Sequence, residues 1–372
     1  MVIGIDASRA NKKEKTGVEW YAWHIIEELK KNIPEGHRVI LYSETPLIGA
    51  LAILPLHWES RVLHWPLKRL WTQARLSWEM LTRPPDVLFI PAHVFPLVHP
   101  KKTVMMIHDV AARTFPTSFS WFERWYSLWS ARYAVKHFGR VITPSQFTKN
   151  ELAVNCQLST VSSIHVVSHG VDARYRKIHD TAAIDEVLNT YGIRRPFLLS
   201  VGRLEEKKNT ANVVRAFDRL HSKQGGFQSQ LILVGKPGYG YENVKEVIAQ
   251  SAWKHDIRLL GWVDPEDIVY LMNAAEVFMF PSLYEGFGLP VLEAFACGTP
   301  VIAGKGSSLE EVGGEAALYV DPKNQDEIAE TVLRLRSDAV LRETLIQKGF
   351  ARVKNFSWVE AAQKTKDALL NG

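Results

Sequence analysis

Two doubly wound α/β domains are what this 372-residue sequence predicts. Two observations carry the prediction. Short apolar runs that do not alternate, the mark of strands buried on both faces, recur along the whole chain. Between them lie segments with the period of amphipathic helices, so strand and helix alternate twice over. The length suffices for two cores of ordinary size.

In the first half the apolar runs are Val2–Ile5, Arg38–Tyr42, Val87–Ile90, Thr103–Ile107 and Arg140–Thr143, with helical periodicity in Val18–Lys30 and Trp121–Lys136. The second half repeats the pattern with Phe197–Val201, Gln230–Val234, Ile257–Leu260, Val277–Phe280 and Pro300–Ala303. Helices are expected there over Asn209–His221, Pro265–Asn273 and Leu289–Cys297. From about Ser168 to Arg195 the chain is polar and poor in apolar periodicity, which reads as the interdomain linker. The tail NFSWVEAAQKTKDALL reads as a helix with Ser357 as its N-cap.

Composition narrows the function. With two distant cysteines, Cys156 and Cys297, the chain has neither a disulfide framework nor zinc-ligand spacing, which fits a reducing compartment. The first residues carry no signal-peptide pattern, and no apolar stretch is long enough to span a bilayer, so a cytoplasmic protein is expected. Charge is uneven: residues 1–180 hold 23 Lys and Arg against 15 Asp and Glu, and residues 181–372 hold 22 against 25. A basic first half suits an anionic partner.

The segment SLYEGFGLPVLEAFACGTPVIA sets Glu285 and Glu293 on either side of a Gly-Phe-Gly bend. Pro290 suits a first helical turn and Gly298 the position just past a helix end. A strand that enters a helix through such a bend makes an anion site at the carboxyl edge of a parallel sheet. Carboxylates repel phosphates, so the two glutamates suit sugar or ribose hydroxyls beside them. The plain alternative is a glycine-capped helix with two solvated glutamates. Upstream, LLSVGRLEEKKN places Gly202, Arg203 and Lys208 in a strand-to-helix loop where phosphates are held, while Lys207 reads as a solvated cation. The chain has no Asp-x-Asp and no other evident carboxylate pair for Mg²⁺, so a bound diphosphate would be neutralised without metal.

These residues carry a resemblance. Glu285-GFGLPVL-Glu293 resembles the E-x7-E motif of the retaining GT-B glycosyltransferases of family 4, the group 1 transferases, and VGRLEEKKN resembles their phosphate motif. The likeness runs through LGWVDPEDIVYLMNAAEVFMFPS and GSSLEEVGGEAALYVDP, with weaker echoes in the first half. It implies the GT-B fold: an acceptor domain at 1–175, a donor domain at 190–352, and a helix at 353–372 crossing back to the first domain. The two would be Rossmann-like domains facing a central cleft. It implies that Arg203 and Lys208 hold the donor diphosphate and stabilise the leaving group, with Gly202 in the same loop. Glu285 and the backbone of Gly286, Phe287, Gly288 and Leu289 would contact the transferred sugar, and Glu293 the ribose. Trp262 and Val263 would line the base pocket, beside Gly235. In the first half, Gly17 would let the backbone approach the phosphates and His108 would lie near the donor sugar. His169 stands where the family has asparagine, and a structural role is expected for it.

The reaction so implied is transfer of a hexosyl group from a GDP- or UDP-sugar, with GDP-mannose and UDP-glucose leading, to an acceptor hydroxyl. Retention by a front-face route is expected, with no cofactor and no metal. A non-catalytic nucleotide-sugar sensor and a GT-B nucleotide-sugar epimerase are the competing readings. The acceptor would be a glycan, a lipid-linked or a small molecule, and no nucleic acid is expected as partner. LHWPLKRLWTQARLSWEML reads as one basic amphipathic helix, with Leu67, Leu70, Trp71, Ala74, Trp78 and Leu81 against Lys68, Arg69 and Arg75. Membrane interface, with peripheral contact at the inner face, and packed core both remain open for it. The stripe of Trp121, Trp125 and Trp129 is expected to be core.

Overall fold

Strands that are apolar on both faces need helices on both sides, and the computed structural model meets that need twice. It describes residues 1–67, 69–157, 163–223 and 227–371, and the elements are numbered over those residues. The chain forms two compact units, Met1–Gly170 with Ser357–Gly372, and Val171–Phe356.

The first unit contains β1 (Val2–Asp6), α1 (Gly17–Asn32), β2 (Arg38–Ser43), β3 (Trp58–Val62), α2 (Ser77–Thr82), β4 (Val87–Ile90) and β5 (Thr103–Met106). It continues with α3 (Ala111–Thr114), α4 (Trp121–His137), β6 (Arg140–Thr143), α5 (Gln146–Cys156) and β7 (Ile164–Val166). The strands make one parallel sheet in the order β3-β2-β1-β4-β5-β6-β7. One face of it carries a core in which Met80, Leu88, Phe95, Met105, Ala134 and Val141 pack together.

The second unit contains α6 (Thr181–Thr190), β8 (Phe197–Val201), α7 (Thr210–Lys223), β9 (Gln230–Val234), α8 (Tyr241–Gln250), β10 (Ile257–Gly261) and α9 (Pro265–Ala274). It ends with β11 (Val277–Phe280), α10 (Leu289–Cys297), β12 (Val301–Gly304), α11 (Ser308–Gly313), β13 (Ala317–Val320), α12 (Gln325–Ser337) and α13 (Ala339–Val353). Its parallel sheet runs β10-β9-β8-β11-β12-β13 and is covered on both faces by separate apolar cores. Chain order reverses between β8 and β11, and ligands of open α/β sheets bind outside such a switch point.

The tail helix α14 (Trp358–Leu370) belongs to the first unit, where it packs on α1. Ser357 caps it through the amide of Val359 at 3.2 Å. A Cβ on Gly170 would overlap the Trp358 amide, so only glycine lets the chain approach the helix start.

Three expectations need correction. The segment read as linker holds α6, whose Ile184 and Leu188, one helical turn apart, dock in the second core. The helix expected over 67–81 is shorter: a π-helical turn, Trp71–Leu76, leads into α2. Leu67 and Leu70 precede it, Leu70 adopting a left-handed φ of 67°, and Lys68 lies outside the described residues. Of the tryptophan stripe of α4 only Trp129 packs against the core, because the helix is buried only in its second half, from Ser130 to Val135. Trp121 and Trp125 remain 80% and 50% exposed. Among the described residues no helix is long and apolar enough to cross a membrane.

Candidate functional site

In a parallel sheet every strand ends on the same edge, so the loops after β8, β9, β10 and β11 gather together. Backbone hydrogen bonds tie three of them: Gly202 N–H donates to Val234 O at 2.9 Å, and Gly235 N–H to Gly261 O at 2.8 Å. Gly202 and Gly235 have φ of 151° and 146°, and a Cβ on Gly235 would overlap the Gly202 carbonyl oxygen. The two loops cross because neither has a side chain at the crossing.

The loop after β8 is pinned to the end of β11. Asn209, at φ 63°, donates from Nδ2 to Pro281 O at 3.0 Å, and Leu283 N–H donates to Lys207 O at 2.9 Å. This brings Lys208 against Glu285, with Nζ 2.6 Å from Oε1 and the ammonium 5.0 Å from the centre of the Phe280 ring. The Ser282 hydroxyl donates to the same Oε1 at 2.6 Å. Glu285 is 7% exposed, so its carboxylate is buried only because a cation and a hydroxyl accompany it.

The bend that follows wraps over the first turn of α11. Ser308 Oγ lies 2.8 Å from the carbonyl oxygens of both Glu285 and Phe287. Gly288, the N-cap of α10, sits at φ 112°, and Leu309 occupies the space its Cβ would need. Pro290 falls in the first turn and Gly298, at φ 73°, closes the helix. The positive end of α10 therefore opens beside Lys208 and Glu285. Arg203 stands at the same edge with a side chain 62% exposed, its Nε only 3.8 Å from Glu205 Oε2. So weak a surface pair leaves the guanidinium available to an anion.

Glu293 lies one helical turn beyond Leu289. Burial, with the Asp172 carboxylate adding, pushes its carboxyl up to about 8, opposed by Arg174 and by a hydrogen bond from Tyr175. The Lys236 ammonium sits 4.7 Å over the ring of Trp262, which is 41% exposed beyond β10. Val263 departs from expectation: it is 1% exposed and packed in the core, since the chain turns inward toward α9 there. The Phe287 side chain is likewise buried, edge-on to Phe356 at 5.8 Å, so only its backbone can face a ligand.

His108 and Gly17 belong to the first unit, after β5 and β1 at the carboxyl edge of its sheet. His108 is 8% exposed, and its Nε2 bonds Pro91 O at 3.0 Å. A carbonyl accepts, so Nε2 carries the proton and Nδ1 the lone pair. Burial, then the neighbouring His93, lowers its pKa to about 4, which keeps the ring neutral at pH 7. Tyr21 meets it edge-on at 4.8 Å. His169 lies between Tyr21 and Trp358, 4.6 and 5.8 Å away, and burial depresses its pKa well below the usual value. Gly17 opens α1, and a side chain there would meet nothing within 4 Å.

Sequence reasoning missed Ser282, Ser308, Asn209, Lys236 and Tyr175. Only Asn209 carried a local signal, as the residue that opens a helix after a lysine pair. Among the described residues, no three His, Cys, Asp or Glu side chains gather in a group that could hold a metal ion.

Comparison with known proteins covers both units. Residues 186–352 match the family model of glycosyl transferases group 1, and residues 15–175 that of glycosyltransferase family 4. The chain is 37% identical over 172 residues to the O-antigen chain mannosyltransferase B of Escherichia coli, a match covering 46% of this chain and 45% of that protein. It thus spans about half the length of that relative. Among solved structures, sucrose-phosphate synthase of Thermosynechococcus elongatus superposes with a TM-score of 0.77 at 18% identity, over 99% of this chain and 98% of the other. HepE of Anabaena, solved in complex with UDP-glucose, gives 0.75 at 18% identity, over 100% and 99%. These likenesses establish the GT-B fold. With that fold, and with a transferase model matched along each unit, the chain belongs to the group 1 glycosyltransferases.

Proposed function

We propose that the protein is a retaining glycosyltransferase that moves a hexosyl group, mannose or glucose, from a nucleotide diphosphate sugar to an acceptor hydroxyl. The observation that carries the proposal is the juxtaposition of Lys208, Glu285 and the start of α10 beside the crossed glycine loops. The glycines leave room for a diphosphate against backbone, while Arg203, Lys208 and the helix end supply positive charge. That charge takes up what develops on the leaving phosphate, without metal. An ammonium has three donors, so Lys208 can keep Glu285 and still bind phosphate.

The state of Glu285 supports a front-face route. A double displacement needs a free nucleophile. Here one carboxylate oxygen holds both Lys208 and Ser282, which suits an acceptor of sugar hydroxyl bonds better than an attacking group. The leaving phosphate then deprotonates the acceptor on the same face. Glu293 takes the ribose hydroxyls, Trp262 flanks the base, and neutral His108 offers hydrogen bonding to the donor sugar. The setting proposed is cytoplasmic. The name of the Escherichia coli relative supports mannose, and the ligand of HepE supports glucose.

A thermal-shift panel of GDP, UDP and ADP sugars, followed by incubation without acceptor, tests the reading. Stabilisation by one nucleotide family with slow hydrolysis of its sugar is expected. Tight binding without turnover, or inversion at C2 of the sugar, would replace transfer by sensing or epimerisation.

A further inference from the structure

We infer that Ser308 is a positioning residue of the donor site. Its hydroxyl orients the peptide units of the Glu285–Gly288 bend toward the transferred sugar, a role that rests on the reading above that this backbone meets that sugar. Ser308 is the first residue of α11. A serine at a helix start ordinarily serves its own helix, yet Ser307 is the N-cap here, its Oγ accepting from the Leu309 amide at 3.4 Å. The Ser308 hydroxyl instead donates across the chain. It reaches the carbonyl oxygens of Glu285 and Phe287, 23 and 21 residues away, both at 2.8 Å. Ser308 is 0% exposed, so solvent does not compete for these bonds.

Peptide geometry converts these two bonds into a direction. In a trans peptide the C=O and the following N–H point opposite ways. Ser308 therefore turns the amides of Gly286 and Gly288 together, away from α11. A glycine follows each of the two carbonyls, and glycine lets a peptide unit rotate at little cost, so the bend needs an outside bond to hold one orientation. Gly288 uses that freedom at φ 112°, and Leu309, next to Ser308, fills the space where its Cβ would stand. The Glu285 side chain has its own supports in Lys208 and Ser282, which leaves the main chain to Ser308. Two amides so fixed, just ahead of the positive start of α10, form a donor pair for oxygen atoms of the sugar. Donors aimed before the ligand arrives spend nothing on reorganisation.

Titration of the full chain with UDP-glucose and GDP-mannose, each beside its own nucleoside diphosphate, tests the role by calorimetry and by amide NMR. For the pair that binds, Ser308→Ala should lower both the affinity for the nucleotide sugar and its slow hydrolysis about tenfold, the effect of one well-made hydrogen bond. Affinity for the diphosphate alone should stay at the parent's value. Ser307→Ala removes the cap from the same helix, so its melting temperature should fall while the affinity added by the sugar does not change. In the parent, the Gly286 and Gly288 amide signals should shift with the nucleotide sugar and not with the diphosphate, a readout that needs no variant to fold. Signals that stay still in the parent would remove the sugar contact itself, and the role of Ser308 with it. Three results would leave that contact standing and overturn Ser308 alone: signals that shift equally in parent and Ser308→Ala, equal loss of diphosphate and sugar affinity, or the same sugar-specific loss in Ser307→Ala.

Discussion

Lys208 Nζ and Glu285 Oε1 lie 2.6 Å apart although 77 residues separate them, and Ser282 completes the pair from the other side. The relationship gives the two residues separable effects. Lys208→Ala removes a cation aimed at the leaving phosphate and strands a buried carboxylate. Turnover should fall by about 10²–10³, the usual loss for a preorganised electrostatic donor, with lower thermal stability. Glu285→Gln keeps the shape and releases the lysine, so nucleotide diphosphate binding should hold or tighten while turnover falls. Calorimetric affinity for the nucleotide beside steady-state kcat separates the two. Equal loss of affinity in both variants would show that they do not divide phosphate from sugar.

The crossing of Gly202 and Gly235 predicts a sharp steric result. In Gly235→Ala the new methyl meets the Gly202 carbonyl, and the φ of 146° is one that L-residues avoid. Strain of about 1–3 kcal/mol is expected, read as a lower melting temperature, together with weaker nucleotide binding as the loops part. Gly17→Ala meets no neighbour within 4 Å and serves as the contrast. Its melting temperature should match the parent, and a loss confined to donor affinity would support close approach of the donor there.

Local chemistry was legible in the sequence where one segment contains its own reason. The bend, Pro290, the helix and Gly298 follow from backbone preferences alone, and the structure has them at those positions. The parallel strands followed from apolar runs, except β3, β7 and β13. These are edge strands, WESRV, IHV and ALYV, whose polar residues or short length hide them. The helical period of Trp121, Trp125 and Trp129 was real, yet a period says which residues share a face and not whether anything covers it. Partners distant in sequence, such as Lys208 with Glu285 or Ser308 with the Phe287 carbonyl, have no local signature at all.

Chelation tests the charge balance of the proposed site. Arg203, Lys208 and the start of α10 are assigned the neutralisation of the diphosphate, so EDTA should leave the transfer rate intact once the donor is saturating. Arg203→Ala should instead raise the KM for the donor and lower kcat, since the guanidinium acts on both ground state and departing charge. An absolute requirement for added Mg²⁺ would remove the metal-free assignment and leave the residue placement as it is.

Glu293 makes pH the most discriminating variable. Burial, reinforced by Asp172, raises its carboxyl from 4.5 to about 8, while Arg174 and Tyr175 oppose the rise. Between those values the native state holds a proton that the unfolded chain has released, so the Glu293 contribution to stability declines as pH rises through the window. Glu293→Gln abolishes that slope, and its melting temperature should gain on the parent's between about pH 5 and about pH 8. Nucleotide binding should show the opposite trend. A carboxylate accepts ribose hydroxyls better than a carboxylic acid does, so affinity should improve with pH and binding near neutrality should release a proton. Titration calorimetry in two buffers of different ionisation enthalpy measures that proton directly. Its absence in the parent, or its persistence in Glu293→Gln, would detach Glu293 from the ribose.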